Sequence, residues 1–204
     1  MVREAPRATR ALAAACAAAL AILAGCRTAP PALPESAPWE IRRPQLQARE
    51  HFELKGRVAV ATGTEGFNAN LRWRQDGVRS QLTLEGPLGV GGAQITTSGD
   101  ELTLVTSKGE RVDSTAAHAE LVARLGFDPP LDQLRYWVQG VPDPAQPSSE
   151  TLDPAQQRLA ALTQDGWHID YLGYTAAGGE ILPSRLTMQR ESVRLRLVVD
   201  DWKR

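Results

Sequence analysis

Phe67-Asn68-Ala69-Asn70-Leu71-Arg72-Trp73-Arg74-Gln75-Asp76-Gly77 alternates apolar and polar side chains along most of its length. In an extended strand Phe67, Ala69, Leu71 and Trp73 fall on one face and Asn68, Asn70, Arg72 and Arg74 on the other, because successive side chains point to opposite sides. One dry face and one wet face mark an antiparallel strand laid over a core. Asp76-Gly77 predicts a tight turn, since this pair tolerates the positive φ angles that a two-residue hairpin requires. The chain then returns along Arg79 to Glu85, where Leu82 and Leu84 continue the apolar face.

The same period extends both ways. Upstream, Leu54, Gly56, Val58 and Val60 alternate with Lys55, Arg57 and Ala59. Before them, Trp39 to Phe52 is patterned as a helix with Trp39, Leu46 and Phe52 inward, Pro44 either kinking it or restarting it as a first-turn proline. Downstream, Gln94 to Thr97 and Leu102 to Thr106 read as strands joined through Gly99-Asp100, with a further turn at Lys108-Gly109.

A helical block interrupts the strands. Ser114 is placed to cap it, Ala117, Leu121 and Leu125 recur every four residues, and Gly126 suits the left-handed position past the helix end. A second helix, from about Pro130 to Gln139, carries Leu131, Leu134, Trp137 and Val138 and ends at Gly140. Val141 to Pro154, with prolines at 142, 144, 147 and 154, reads as a loop free to move. Strands resume over Arg158 to Gln164, Trp167 to Tyr174, Ser184 to Gln189 and Val193 to Trp202, with turns at Asp165-Gly166 and Gly178-Gly179. The fold class is mainly β (α+β). One long antiparallel sheet must wrap to bury its apolar face, as a strongly curved sheet or open barrel, with the helices on its concave side.

The amino terminus carries a different message. Arg3, Arg7 and Arg10 precede an apolar run from Ala11 to Leu23 that ends in Leu23-Ala24-Gly25-Cys26. This is the layout of a secretory signal closing in a lipobox. The run is roughly a dozen residues, short of the ~20 needed to cross about 30 Å of hydrocarbon. Cleavage before Cys26 would free its thiol for diacylglycerol and its amine for a further acyl chain. Buried methylenes contribute about 0.8 kcal/mol each, so such an anchor would release very slowly. Residues 1–25 are thus expected to be a signal peptide and 26–38 a lipidated amino terminus and tether. Pro30, Pro31, Pro34 and Pro38 favour an extended, semi-rigid spacer there. Residues 39–204 would form a single domain.

Composition narrows the chemistry. Without residues 1–25 the 23 basic and 24 acidic residues become 20 and 23, a balance that argues against a nucleic-acid binder. Cys16 leaves with the signal and Cys26 is consumed by lipid, so no disulfide staples the mature chain. His51, His118 and His168 are far apart and form no ligand motif, so no metal and no cofactor beyond the acyl groups on Cys26 is expected. No nucleophile elbow or catalytic triad pattern appears, and Asp200-Asp201, being adjacent, would face opposite ways on a strand. An enzyme is therefore not the expected reading. Gly86-Pro87-Leu88-Gly89-Val90-Gly91-Gly92 lacks the Gly-Lys-Ser/Thr ending of a phosphate loop. Its Leu88 sits where a turn should be polar, either folded back beneath the loop or exposed to insert into lipid or a partner. The five tryptophans fit either core aromatics or amphipathic surfaces.

From about Trp39 to Trp202 the chain resembles the LolB family of outer-membrane lipoprotein receptors. The resemblance rests on Leu54-Lys55-Gly56-Arg57, Leu71-Arg72-Trp73-Arg74-Gln75, Gly86-Pro87-Leu88-Gly89, Leu134-Arg135-Tyr136-Trp137-Val138-Gln139-Gly140-Val141-Pro142, Gln164-Asp165-Gly166-Trp167 and Leu182-Pro183, in that order and spacing. It implies an unclosed antiparallel barrel with helices over its mouth and an apolar cavity for acyl chains. It also implies a receptor that takes lipoprotein cargo from a LolA-like periplasmic carrier and inserts it into the lipids of the outer membrane; such a shuttle has no evident need to be more than a monomer. Arg27, in place of an aspartate after the lipidated cysteine, accords with an outer-membrane address. In this family the leucine of the Pro-Leu-Gly loop is exposed and needed for delivery, which assigns a membrane-insertion role to Pro87, Leu88 and Gly89. Apolar members of the alternating strands and covering helices, Leu71, Trp73, Leu82, Leu84, Trp137, Leu186, Leu195 and Leu197, are the cavity candidates. The rival reading is a structural lipoprotein scaffolding an outer-membrane assembly, whose interior would be solidly packed.

Overall fold

The computed structural model describes residues 37–86 and 91–203, all within one compact unit spanning 33–204. The roles expected of Cys26, of the signal and tether up to residue 36, and of Pro87, Leu88 and Gly89 lie outside the described residues.

Helix α1 (Trp39–Gln47) leads into β1 (His51–Thr62), β2 (Glu65–Asp76), β3 (Arg79–Glu85), β4 (Gly92–Ser98), β5 (Glu101–Thr106) and the short β6 (Arg111–Asp113). Helices α2 (Ser114–Leu125) and α3 (Leu131–Trp137) follow. The chain closes with β7 (Ser148–Asp153), β8 (Arg158–Gln164), β9 (Trp167–Ala177), β10 (Glu180–Arg190) and β11 (Val193–Lys203). The strands form one antiparallel sheet in the order β6-β5-β4-β3-β2-β1-β11-β10-β9-β8-β7.

That order explains the position of the helices. Two meanders, β1 to β6 and β7 to β11, are joined along a central seam where Val58 lies opposite Leu197 and Val60 opposite Leu195. Strands β6 and β7 are then the two outer edges, unpaired with each other, so the sheet is an unclosed barrel. The connection between these edges has to cross the sheet. Helices α2 and α3 make that crossing and bury Ala117, Leu121, Leu134 and Trp137 against the apolar face.

The alternation read from the sequence is the register that forms. Buried Leu71 and Trp73 lie opposite Gly56 and Leu54 on one side and Leu84 and Leu82 on the other. At the seam the register slips between Lys55 and Gly56. A Cβ on Gly56 would stand 2.2 Å from the Val198 carbonyl oxygen, so only glycine fits the bulge. The Asp165-Gly166 turn has φ of 50° and 73°, both positive as a two-residue hairpin demands.

Several boundaries differ from expectation. The first helix stops at Gln47 with Pro44 inside it, and Phe52, although inward, belongs to β1, whose alternation begins at His51. Ser114 is not the cap of α2: Asp113 stands at that position, makes no side-chain cap bond, and directs its carboxylate to Thr103 across the β5–β6 ladder and to Arg111 on its own strand. Strand β6, three residues long, is too short to show a period. The proline-rich stretch from Val141 to Pro154 is an ordered part of the fold. Val141, Pro142 and Asp143 are buried, and Ser148–Asp153 pairs with β8 as an edge strand.

Candidate functional site: an apolar cavity beneath the helical cover

The concave face of the sheet is not completely filled. Val58 and Val60 of β1, Phe67, Leu71 and Trp73 of β2, and Leu82 and Leu84 of β3 line one side of a cavity of about 80 Å³. Ile95, Met188, Leu195 and Leu197 complete the sheet side. The roof is Leu125 at the end of α2, then Phe127 and Pro129, then Leu131, Leu134 and Val138 in and just after α3. Every one of these side chains is apolar. The site therefore offers no positioned donor, acceptor or charge and discriminates by bulk and apolarity alone.

The one polar group on these walls is turned away. The indole N–H of Trp73 donates to Gln75 Oε1 at 3.2 Å, an oxygen that also accepts from the Ser80 hydroxyl, while Gln75 Nε2 donates to the Gly77 carbonyl at 2.9 Å. Gln75 closes one end of the apolar strip by satisfying its neighbours, as a buried amide must.

A second, wider groove of about 400 Å³ adjoins the cavity and shares Phe67, Leu84, Ile95 and Leu125 with it. It runs beneath Leu121 and Arg124 of α2 to Gly86 and Gly92, between which the chain leaves the sheet. Two side-chain hydrogen bonds hold the joint between the helices. Thr62 Oγ1 donates to the Leu125 carbonyl at 3.3 Å, and Arg190 donates to the Asp128 carbonyl at 3.3 Å.

Of the eight cavity candidates, Leu71, Trp73, Leu82, Leu84, Leu195 and Leu197 come together on the wall. Trp137 and Leu186 do not line it; both are fully buried elsewhere in the core. Trp137 packs against Trp167 with ring centres 6.2 Å apart and donates to Gln164 Oε1 at 2.8 Å. Leu186 lies between Tyr171 and Leu197 in the sheet. The tryptophans are mostly core: Trp39, Trp73, Trp137 and Trp167 are buried and Trp202 is half-buried, and of the five only Trp73 reaches the cavity.

Of the roof, Leu125, Leu131, Leu134 and Val138 were legible as apolar helix positions, while Phe127 and Pro129 were not. Phe127 and Pro129 lie in the joint between the two helices, where no period applies; an apolar linker in a polar-rich chain was the available signal. Sequence reasoning also missed Arg42, whose buried guanidinium donates to the carbonyls of Gln157 and Ile181 at 3.1 and 3.0 Å and pins α1 to the sheet. Desolvation holds its pKa below the ordinary arginine value. Burial likewise raises the Tyr171 and Tyr174 phenols, which donate to the carbonyls of Trp137 and Leu159 at 3.0 and 2.7 Å.

No titratable group joins the cavity. Each histidine stands beside one aspartate: His51 with Asp76, His118 with Asp128 and His168 with Asp170. Among the described residues no group of three His, Cys, Asp or Glu gathers as a metal site would require.

Residues 50–202 match the family model described as outer membrane lipoprotein LolB. An outer-membrane lipoprotein LolB from Nitrosococcus oceani is 35% identical over 187 residues, covering 90% of this chain and 93% of that protein. One from Pseudomonas putida is 33% identical over 189 residues, covering 90% and 92%. Among solved structures, a LolA superfamily protein from Nitrosomonas europaea superposes with a TM-score of 0.53 at 11% identity, covering 82% of this chain and 94% of that one. A putative outer membrane lipoprotein-sorting protein domain from Vibrio parahaemolyticus gives 0.52 at 8% identity, covering 81% and 90%. At such identities the structural likeness speaks for the fold, an unclosed antiparallel sheet with few helices. The sequence matches span nearly the full length of both partners, and the chain belongs to the LolB family.

Proposed function

We propose that this chain is a receptor at the outer membrane that accepts lipoproteins from a LolA-like periplasmic carrier and passes them into the bilayer. Cys26 would hold it there through its acyl groups. The observation that carries the reading is the cavity with a wholly apolar wall beneath the helical cover, in a chain of the LolB family.

The physics of such a relay needs no nucleotide. An acyl chain moves from carrier to receptor to membrane if each successive site binds it better, and each tenfold gain is about 1.4 kcal/mol. At about 80 Å³ the cavity is well below the roughly 300 Å³ at which ligand sites begin. Loading therefore requires the cover to lift. The joint between the helices is held by two side-chain hydrogen bonds of about 1 kcal/mol each, so the resistance to lifting the cover lies chiefly in the apolar side chains that α2 and α3 bury. The adjoining groove gives a displaced chain an apolar path toward Gly86 and Gly92, which flank the segment carrying Leu88.

The test is transfer of a lipoprotein from loaded carrier to this protein and onward to liposomes. Leu88→Glu is expected to leave the first step intact and slow the second at least tenfold, the cost of presenting a charge to the bilayer. Unchanged delivery would remove the loop from the mechanism. Failure of wild-type protein to take cargo from the carrier would remove the receptor role.

A further inference from the structure

The opposite face of the sheet carries a charge pattern that cargo handling does not use. Lys55 and Arg57 of β1, Arg72 of β2, Arg194 and Arg196 of β11 and Arg185 of β10 are all exposed there, on four adjacent strands. Lys55 stands directly opposite Arg72, a like-charge pair that by itself weakens a sheet. Arg72 reaches Glu85 at 3.8 Å, and Arg57 is held by Asp200 at 2.8 Å. Asp201 faces Lys55 in the β1–β11 ladder without closing an ion pair. Among the described residues no carboxylate lies within ion-pair distance of Lys55, Arg185, Arg194 or Arg196. This concentration of cations occurs in a chain whose formal net charge is −1.

In the middle of the patch is a built recess. Ala59 leaves a gap in the surface, flanked in register by Asn68 on β2 and Arg196 on β11, with Arg57 and Asn70 in the next row. The depression is about 350 Å³, and its rim carries the Arg196 guanidinium, the Arg57 guanidinium with two of its nitrogens already on Asp200, and the carboxamides of Asn68 and Asn70, donors suited to phosphate oxygens.

The patch is also level with the end of β3 at Glu85 and the start of β4 at Gly92. A continuous cross-strand row runs Gly92, Glu85, Asn70, Arg57, Val198, Arg185. At about 4.8 Å between strands, Arg57 is only about 10 Å from Glu85, and Arg194 and Arg196 lie farther along in the direction in which β3 ends.

We propose that this outer face binds the phosphate-bearing surface of an anionic phospholipid bilayer, with one headgroup in the recess over Ala59, so that the receptor rests on the membrane as cargo leaves. The inference rests on the membrane placement proposed above. A bilayer fits better than a protein carrier because the face is on the far side of the sheet from the cavity. A carrier docked there would be separated from the acyl site by the sheet itself.

The test reconstitutes the full lipidated protein in vesicles of phosphatidylcholine, with or without phosphatidylglycerol, and follows arginine modification by phenylglyoxal site by site. Modification of Arg194 and Arg196 is expected to slow about threefold or more with phosphatidylglycerol and to recover in high salt, while Arg111 on the edge strand is unaffected. Arg194→Gln/Arg196→Gln should abolish the difference in delivery rate between the two vesicle types and leave uptake from the carrier unchanged. Equal modification in both vesicles overturns the proposal, as does protection that appears only when the soluble carrier is added. Both readouts separate this inference from the receptor role, since protection is measured without cargo and a failed receptor role appears as lost uptake.

Discussion

Gln164 holds more of the fold together than any sequence pattern announces. Its Oε1 accepts from the Trp137 indole and the Asp143 amide at 2.8 and 2.9 Å, and its Nε2 donates to the carbonyls of Asp143 and Gln146, both at 2.9 Å. All four capacities of the buried carboxamide are used, joining α3, the proline-rich segment and β8. Gln164→Glu replaces both donors with a charge facing two carbonyl oxygens and is expected to cost about 3 kcal/mol or more, read as a lower denaturation midpoint. Gly56 is the steric counterpart. With the Val198 oxygen 2.2 Å from where a methyl would sit, Gly56→Ala must push β1 from β11 and should cost about 2 kcal/mol in the same measurement. Gly56 and the Gln164-Asp165-Gly166-Trp167 run stood out in the sequence as motifs. Their reasons did not, because each depends on a partner more than a hundred residues away or on a loop with no period of its own.

At the scale of elements, the strands were legible because alternation is local, and the middle of every long strand falls where the pattern puts it. What the pattern could not show was an element defined by its neighbour. Strand β7 has no strong alternation of its own and exists because β8 offers an open edge. The segment before it is ordered by Gln164, not by composition. The cover was legible as two helices on the concave side, but its linker residues Phe127 and Pro129 were not legible as part of it, since they obey no period. Its mobility is testable. A Cβ at Gly126 would lie 3.7 Å from that of Thr62, within disulfide reach. Oxidised Thr62→Cys/Gly126→Cys should lose cargo uptake and recover it on reduction; full uptake while oxidised would show that the cover need not lift. Strand β9 carries a pH signature as well. Tyr171 and Tyr174 have phenols raised above their ordinary value near 10 by burial, so the folded state favours their neutral forms. That stability is complete below about pH 10 and is lost as pH rises toward the folded values. Their phenolate absorbance should appear together with loss of near-ultraviolet dichroism above about pH 10, not before it.

Across the whole molecule, one topological fact organises the rest. Because the terminal strands β1 and β11 pair at the centre, the edges of the sheet are left to β6 and β7, and the chain between them must cross the concave face. A cover over an apolar trough follows from connectivity, and the trough faces away from the basic surface. Six of the eight residues singled out from sequence line the resulting cavity; Trp137 and Leu186 show that an inward apolar position is equally consistent with solid core. On the function proposed above, this trough receives acyl chains. Displacement of a fluorescent fatty-acid probe from the chain beginning at Arg27, without its anchor, tests it most directly. Saturable binding, displaced by a diacylated lipopeptide and absent in the oxidised Thr62→Cys/Gly126→Cys protein, is the predicted result; a probe that finds no saturable site would contradict it.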